Sequence, residues 1–341
     1  VLRRLGSGWA LFVEAQRLPA SVYPAGRFPD AASALVDAER KAAFEEQGAH
    51  YESAYYLTFL YLPPAWESAG AERFLYEGRS RAAGADGREI LAGFTDRTER
   101  VLQLLDGFMP ECHWLDDAET LTYLHSCIST RRQRVRVPEV PMYLDGLLAD
   151  RPLTGGLEPK LGDCHLRVLT IVGFPGTTTP GLLDELNRLA FAYRWSTRAI
   201  LLDKTDATRL LTRIRRQWFA KRKSIAAILK EVMTNEASTL VDTDAHNKAI
   251  DADVALQELG SDAVGAAYCT VTVTVWDEDP RVADERLRLV EKVIQGRDFT
   301  CMVERVNAVD AWLGSLPGHA YANVRQPPVS TLNLANMIPL S

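Results

Sequence analysis

The clearest periodicity lies in the second half of the chain. His165–Gly173 is a continuous apolar run of strand length, and Ser196–Asp203 is another. From Cys269 to Val275 the residues alternate, with Cys269, Val271, Val273 and Val275 on one face and Thr270, Thr272 and Thr274 on the other. That alternation predicts an antiparallel strand with one exposed face. Phe299–Val303 supplies a fourth strand. Between the first two, Thr179 offers an N-cap and Pro180 a first-turn position for a helix carrying Leu183, Leu186 and Phe191. Between the last two, Asp279-Pro280 opens a helix with Val282, Leu287, Val290 and Ile294, stopped by Gly296.

The order β-α-β, β-α-β predicts a ferredoxin-like split βαβ sandwich over 166–306. A long insertion at about 204–265 separates its middle strands. Leu211, Ile214, Trp218, Ile225, Leu229 and Val232 make one apolar stripe on a helix from about Ala207 to Met233. Such a helix is about 40 Å long at 1.5 Å per residue. A polar turn and a second helix with Ile250, Val254 and Leu259 complete a projecting hairpin.

The first half is a second mixed module, 1–137. Its predicted strands are Trp9–Val13, Tyr55–Leu62 and Cys112–Leu115, and its predicted helices are Ala31–Gln47, Ile90–Leu105 and Asp117–Ser129. A Pro-rich connector, 138–165, joins the modules. The fold class is therefore α+β, in two mixed modules. The remainder, 307–341, reads as a short helix closed by Pro317-Gly318 and an uncharged linker, Gln326–Ser341. Val1 opens without a start Met, so the expectation is a piece of a longer protein.

Charge alters this picture in one place. Residues 1–150 carry 16 basic and 22 acidic side chains, and 151–341 carry 23 of each, for a net −6. A surface that coats nucleic acid all round is excluded by that balance. Lys204 to Lys230, however, holds nine basic side chains against Asp206 alone. On the predicted helix, Arg209, Arg213, Arg216, Lys221, Arg222 and Lys223 form a candidate interaction surface. It is either a solvated outer face or a contact for an acidic partner, anionic lipid or nucleic acid. Arg131–Arg136 is a second basic cluster.

Other chemistry falls short. Gly176–Gly181 matches the GxxxxG half of a phosphate-cradling loop, but Leu182 and Leu183 stand where Lys and Ser/Thr are needed. Cys112-His113 and His125-x-Cys127 have spacings that splay their side chains, so four zinc ligands do not converge. The five scattered cysteines form no CxxC pair and fit reduced thiols. No GxSxG or HExxH occurs, and no apolar run is long enough to span a bilayer. Catalytic, cofactor and metal residues are thus expected to be none in this chain.

Several whole segments are familiar together: Pro141–Asp150 (PMYLDGLLAD), His165–Pro175 (HLRVLTIVGFP), Arg215–Ser224 (RRQWFAKRKS) and Val306–His319 (VNAVDAWLGSLPGH). They resemble the TrbE-type conjugal transfer ATPases, the motor ATPases of type IV secretion systems. The resemblance spans most of the chain and is strongest from about 138 onward. It implies an N-terminal α+β region whose ATPase domain, with ATP and Mg, lies beyond a segment similar to Ser330–Ser341. It implies a cytoplasmic protein, peripheral at the inner membrane. It also implies docking to small inner-membrane subunits of the secretion channel, and self-association. None of the family's catalytic residues has a counterpart here, so the chain alone is expected to be inactive. The alternative is a nucleic-acid-binding module using the basic helix.

Overall fold

A computed structural model describes residues 2, 5–20, 23–24, 26–47, 50–63, 87–175, 177–221, 243–323 and 325–338, with the backbone alone at 47, 218–221 and 243–249. Two long strands, β1 (Trp9–Ala20) and β2 (His50–Tyr61), pair antiparallel along their whole length, Trp9 opposite Tyr61 and Ala20 opposite His50. Between them α1 (Ala31–Gln47) has the bounds its sequence predicts, with the Asp30 carboxylate accepting from the Ser33 N–H at 2.8 Å. Helices α2 (Gly87–Asp106) and α3 (Asp117–Ile128) follow. Asp116 and Glu119 close a reciprocal capping box at the start of α3, which accounts for the acidic Asp116-Asp117 pair.

The connector is partly ordered, as α4 (Leu144–Leu148), β3 (Leu153–Thr154) and β4 (Lys160–Leu161). Then come β5 (Cys164–Gly173), β6 (Tyr193–Leu202), α5 (Lys204–Lys221), α6 (Thr243–Gly260), β7 (Ala266–Asp277), α7 (Pro280–Gln295), β8 (Thr300–Glu304), α8 (Ala308–Leu313), β9 (Pro328–Ser330) and α9 (Thr331–Met337). All nine strands form one curled antiparallel sheet in the order β2-β1-β6-β7-β5-β4-β3, with β8 also on β5 and β9 also on β7. Strand β1 pairs with β6 from Ala10 to Arg17, so the two modules expected from the sequence share a single sheet.

The two faces of this sheet differ in chemistry. Leu11, Trp195, Val271, Val273 and Ile171 look onto the main apolar core, covered by Leu287, Val290 and Ile294 of α7 and by Leu334 and Met337 of α9. The opposite face carries Glu14 and Gln16 from β1, Arg194, Ser196 and Arg198 from β6, and Thr270, Thr272 and Thr274 from β7, all 3% exposed or less. Register sets them side by side: Gln16 opposite Arg194 and Thr274, Phe12 opposite Arg198 and Thr270. The face predicted to be solvated is therefore buried. Helix α3, α8 with Trp312, and the chain from 314 to 325 roof it over.

Four other expectations change. The helix predicted at Thr179–Pro180 is only a 3-10 turn, Asp184–Arg188, although Leu183, Leu186 and Phe191 are buried as predicted. Gly181 has φ +72°, which breaks the first turn, and a Cβ there would meet the Asp184 carboxylate at 2.6 Å. Cys112–Leu115 forms no strand. The linker at 326–341 is instead β9 and α9 over its described residues, capped by Ser330 and anchored by Leu334 and Met337, each 1% exposed. On α6, Leu259 is buried but Ile250 and Val254 face outward, because Ala252 and Leu259 make the inner row.

Candidate interaction surface

Helix α5 is set by its first turn. The Asp203 carboxylate accepts from the Asp206 N–H at 2.8 Å, and the Ser7 hydroxyl donates to Asp206 at 2.8 Å while accepting from the Asp203 N–H. These contacts tie the helix start to the segment before β1. Ala207 and, partly, Leu211 then pack with Leu259 and Ala266, so one side of α5 faces α6 and the end of β7. Arg215 points to that side and pairs with Asp253 of α6 at 2.9 Å. Lys204 pairs with Asp262 at 2.8 Å and also donates to the Gly260 carbonyl.

The remaining side is open. Arg209, Arg213 and Arg216 are exposed on it and line a shallow groove with Thr205, Thr208 and Thr212. Arg209 is partly neutralised by Asp206, three residues back, at 2.7 Å. Arg213 and Arg216 make no ion pair among the described residues. The backbone of Lys221 lies at the end of α5, and Arg222 and Lys223 fall outside the described residues, as do Ile225, Leu229 and Val232 of the predicted stripe. The structure thus brings Arg209, Arg213 and Arg216 onto one face. A row of guanidinium groups and hydroxyls can hold carboxylate or phosphate oxygens.

The other sequence candidates have structural surroundings. Thr178, in the glycine-flanked loop, donates to Asn333 at 2.9 Å and receives the Asn336 amide at 3.0 Å, so that loop is fastened to α9. His125 is buried, with Nε2 3.3 Å from Asp150 and 3.3 Å from Gln133. Cys127 is buried beside Glu14, and burial pushes its thiol up to about 12. Arg132 of the second basic cluster reaches Gln16 at 2.8 Å and so belongs to the polar layer. Sequence reading did not pick out that layer; Arg194, Ser196 and Arg198 at alternate positions in an otherwise apolar strand were its signal.

Residues 111–325 match the family described as "CagE, TrbE, VirB family, component of type IV transporter system", nearly two thirds of the chain. The chain belongs to this family. Residues 1–69 also match "Type IV secretion system ATPase VirB4/TrbE, N-terminal domain". Conjugal transfer protein TrbE of Rhizobium radiobacter is 32% identical over 357 aligned residues, covering 100% of this chain and 43% of that protein. In Sinorhizobium fredii a probable conjugal transfer protein TrbE comes as two separate polypeptides. The second of them is 34% identical over 65% of this chain and 33% of its own length. The first is 39% identical over 23% of this chain and 55% of its own length. The chain therefore spans less than half the length of the Rhizobium radiobacter relative. It is a TrbE/VirB4-type component of a conjugal transfer system. No described helix is long and apolar enough to cross a membrane.

Proposed function

We propose that this chain is the assembly region of a conjugal transfer ATPase, anchoring the motor to the inner-membrane complex at its cytoplasmic side. The observation that carries the reading is the open Thr/Arg face of α5. Arg213 and Arg216 are held out by a helix whose other side is already packed, and no carboxylate among the described residues pairs with them. The partners are small inner-membrane subunits presenting acidic segments, together with further copies of the chain. ATP and Mg belong to the motor domain of the parent protein, and this chain alone does not turn over ATP. In this reading the strand order β8-β5-β7-β6 is the split βαβ core, 166–306, to which β1 and β2 of module 1–137 are added through the connector 138–165.

The test is co-purification of the inner-membrane subunits with the wild-type chain and with Arg213→Glu/Arg216→Glu. Loss of the subunits from a folded double variant is expected, and equal recovery would remove the reading. The same face suits phosphate, so nucleic acid is the second reading. It requires DNA binding that weakens steeply with salt, about one log-log slope unit per phosphate contact. Absence of binding at low salt excludes it.

A further inference from the structure

Strand β2 is the end strand of the sheet. All twelve of its residues pair with β1, and among the described residues nothing pairs with its other edge. An unpaired edge presents N–H and C=O groups that a further strand can satisfy. Here the edge opens into a cavity of about 750 Å³. At roughly 30 Å³ per water-sized group this holds about 25 non-hydrogen atoms, on the order of three residues of chain.

The cavity has the walls of a strand slot. Helix α2 lies over the face of β2 that carries Leu57 and Phe59, fixed by Phe94 stacked on Trp9 at 5.5 Å. Helix α3 lies over the opposite face, fixed by Tyr123 stacked on Tyr56 at 4.1 Å. The chain between these helices forms the far wall, with Trp114 51% exposed. Cys112–Leu115 in this wall has strand composition yet makes no backbone hydrogen bond to β2, which leaves the slot open.

Charge selects the occupant. Residues 106–119 carry Asp106, Glu111, Asp116, Asp117 and Glu119 and no Lys or Arg. Glu111 and Glu119 line the cavity against one cation, Arg134. We infer that the edge of β2 receives an extended segment of a partner protein, apolar at alternate positions and ending in Lys or Arg, as an added strand. Main-chain pairing supplies the affinity, and the aromatic walls and acidic rim supply the selection. Only the biological identity of the partner rests on the assembly reading above; the slot itself does not involve α5.

The test uses the full chain and a labelled ten-residue peptide of alternating Val and Thr with two lysines at each end. Two control peptides carry a central proline, or glutamates in place of the lysines. Saturable binding is expected, with β2 amides exchanging more slowly in the complex. Each control is expected to bind about tenfold or more weakly, the loss of one or two hydrogen bonds or a charge contact. Glu111→Lys, at an exposed loop position, should weaken the lysine peptide alone. Equal binding of the proline peptide, unchanged β2 exchange, or no binding of the lysine peptide each overturns the inference. Those results leave the α5 reading intact, and failure of the Arg213/Arg216 test leaves this one intact.

Discussion

Glu14 and Arg194, 180 positions apart, close a bidentate ion pair between β1 and β6, with Nε to Oε1 at 2.6 Å and Nη2 to Oε2 at 2.8 Å. Both side chains are buried, and neighbours complete their hydrogen bonds. Gln16 donates to Glu14 at 2.7 Å, Tyr123 donates to Glu14 at 3.2 Å, and Arg194 donates to the Cys127 carbonyl at 2.9 Å. The pair joins the first strand of the chain to α3 and to the second half at one point.

Removing either partner leaves a buried charge without its counterion, which costs about 3–5 kcal/mol. Glu14→Ala and Arg194→Met are each expected to lower the unfolding free energy by that much in urea titrations. The double variant Glu14→Leu/Arg194→Met should lose less than the sum of the two. Additive losses would mean that the two residues act separately.

Arg198 holds the roof of the polar face without any carboxylate. It donates to the Ala322 carbonyl, to the Asn323 carbonyl at 3.2 Å and to the Thr270 hydroxyl at 3.1 Å. Burial lowers its pKa to about 10, so it stays charged at neutral pH. Arg198→Met is expected to loosen residues 315–327, read as faster amide exchange there and cleavage by trypsin at Arg325. An unchanged exchange pattern would show that the roof stands on Trp312 packing alone.

The five thiols divide by burial. Cys127 and Cys269 are fully enclosed, and burial pushes each thiol up to about 12, whereas Cys112, Cys164 and Cys301 are half-exposed. In the unfolded chain a thiol ionises near pH 8.5. Between the two values the folded state keeps protons that the unfolded state has lost, so stability falls as pH rises from about 9 to about 12. Burial raises the phenols of Tyr123 and Tyr193 in the same direction. The urea midpoint should be flat from pH 7 to 8.5 and fall above 9, and Cys127→Ala/Cys269→Ala should reduce that slope. At neutral pH, a thiol reagent should modify three cysteines of the native protein quickly and two only after unfolding.

Arg213 and Arg216 should be dispensable for folding. Surface substitutions of this kind stay within about 0.5 kcal/mol. Arg213→Glu/Arg216→Glu is expected to keep the wild-type urea midpoint, whereas Arg215→Glu, which reverses the pairing with Asp253 on α6, should lower it. A destabilised double variant would assign the open face a structural role.

The sequence and the structure agree where local signals suffice. Helix α1 has its predicted bounds, and α7 begins at Asp279-Pro280 and ends at Gly296 as its caps dictate. The alternation in β7 was legible, but its environment was not. The cover over Thr270, Thr272 and Thr274 comes from residues some 50 positions later, and no local pattern records that. Composition misled at the end of the chain, where a Pro-rich uncharged run concealed a capping Ser330 and the helical pair Leu334 and Met337. On the candidate surface, Arg209, Arg213 and Arg216 were readable as a row because charge and helical spacing coincide. That Arg215 turns inward follows from Asp253, which sits on another helix.

The unlike faces of the sheet also make its alignment self-correcting. A slip of one residue in β6 would thrust Arg194 and Arg198 into hydrocarbon and strand Trp195 among carboxylates and hydroxyls. Misaligned hairpins would therefore be penalised twice over while the protein folds, once for each guanidinium, before any roof has formed. The ionic layer works as a ruler for strand assembly as well as a fastening for the finished protein.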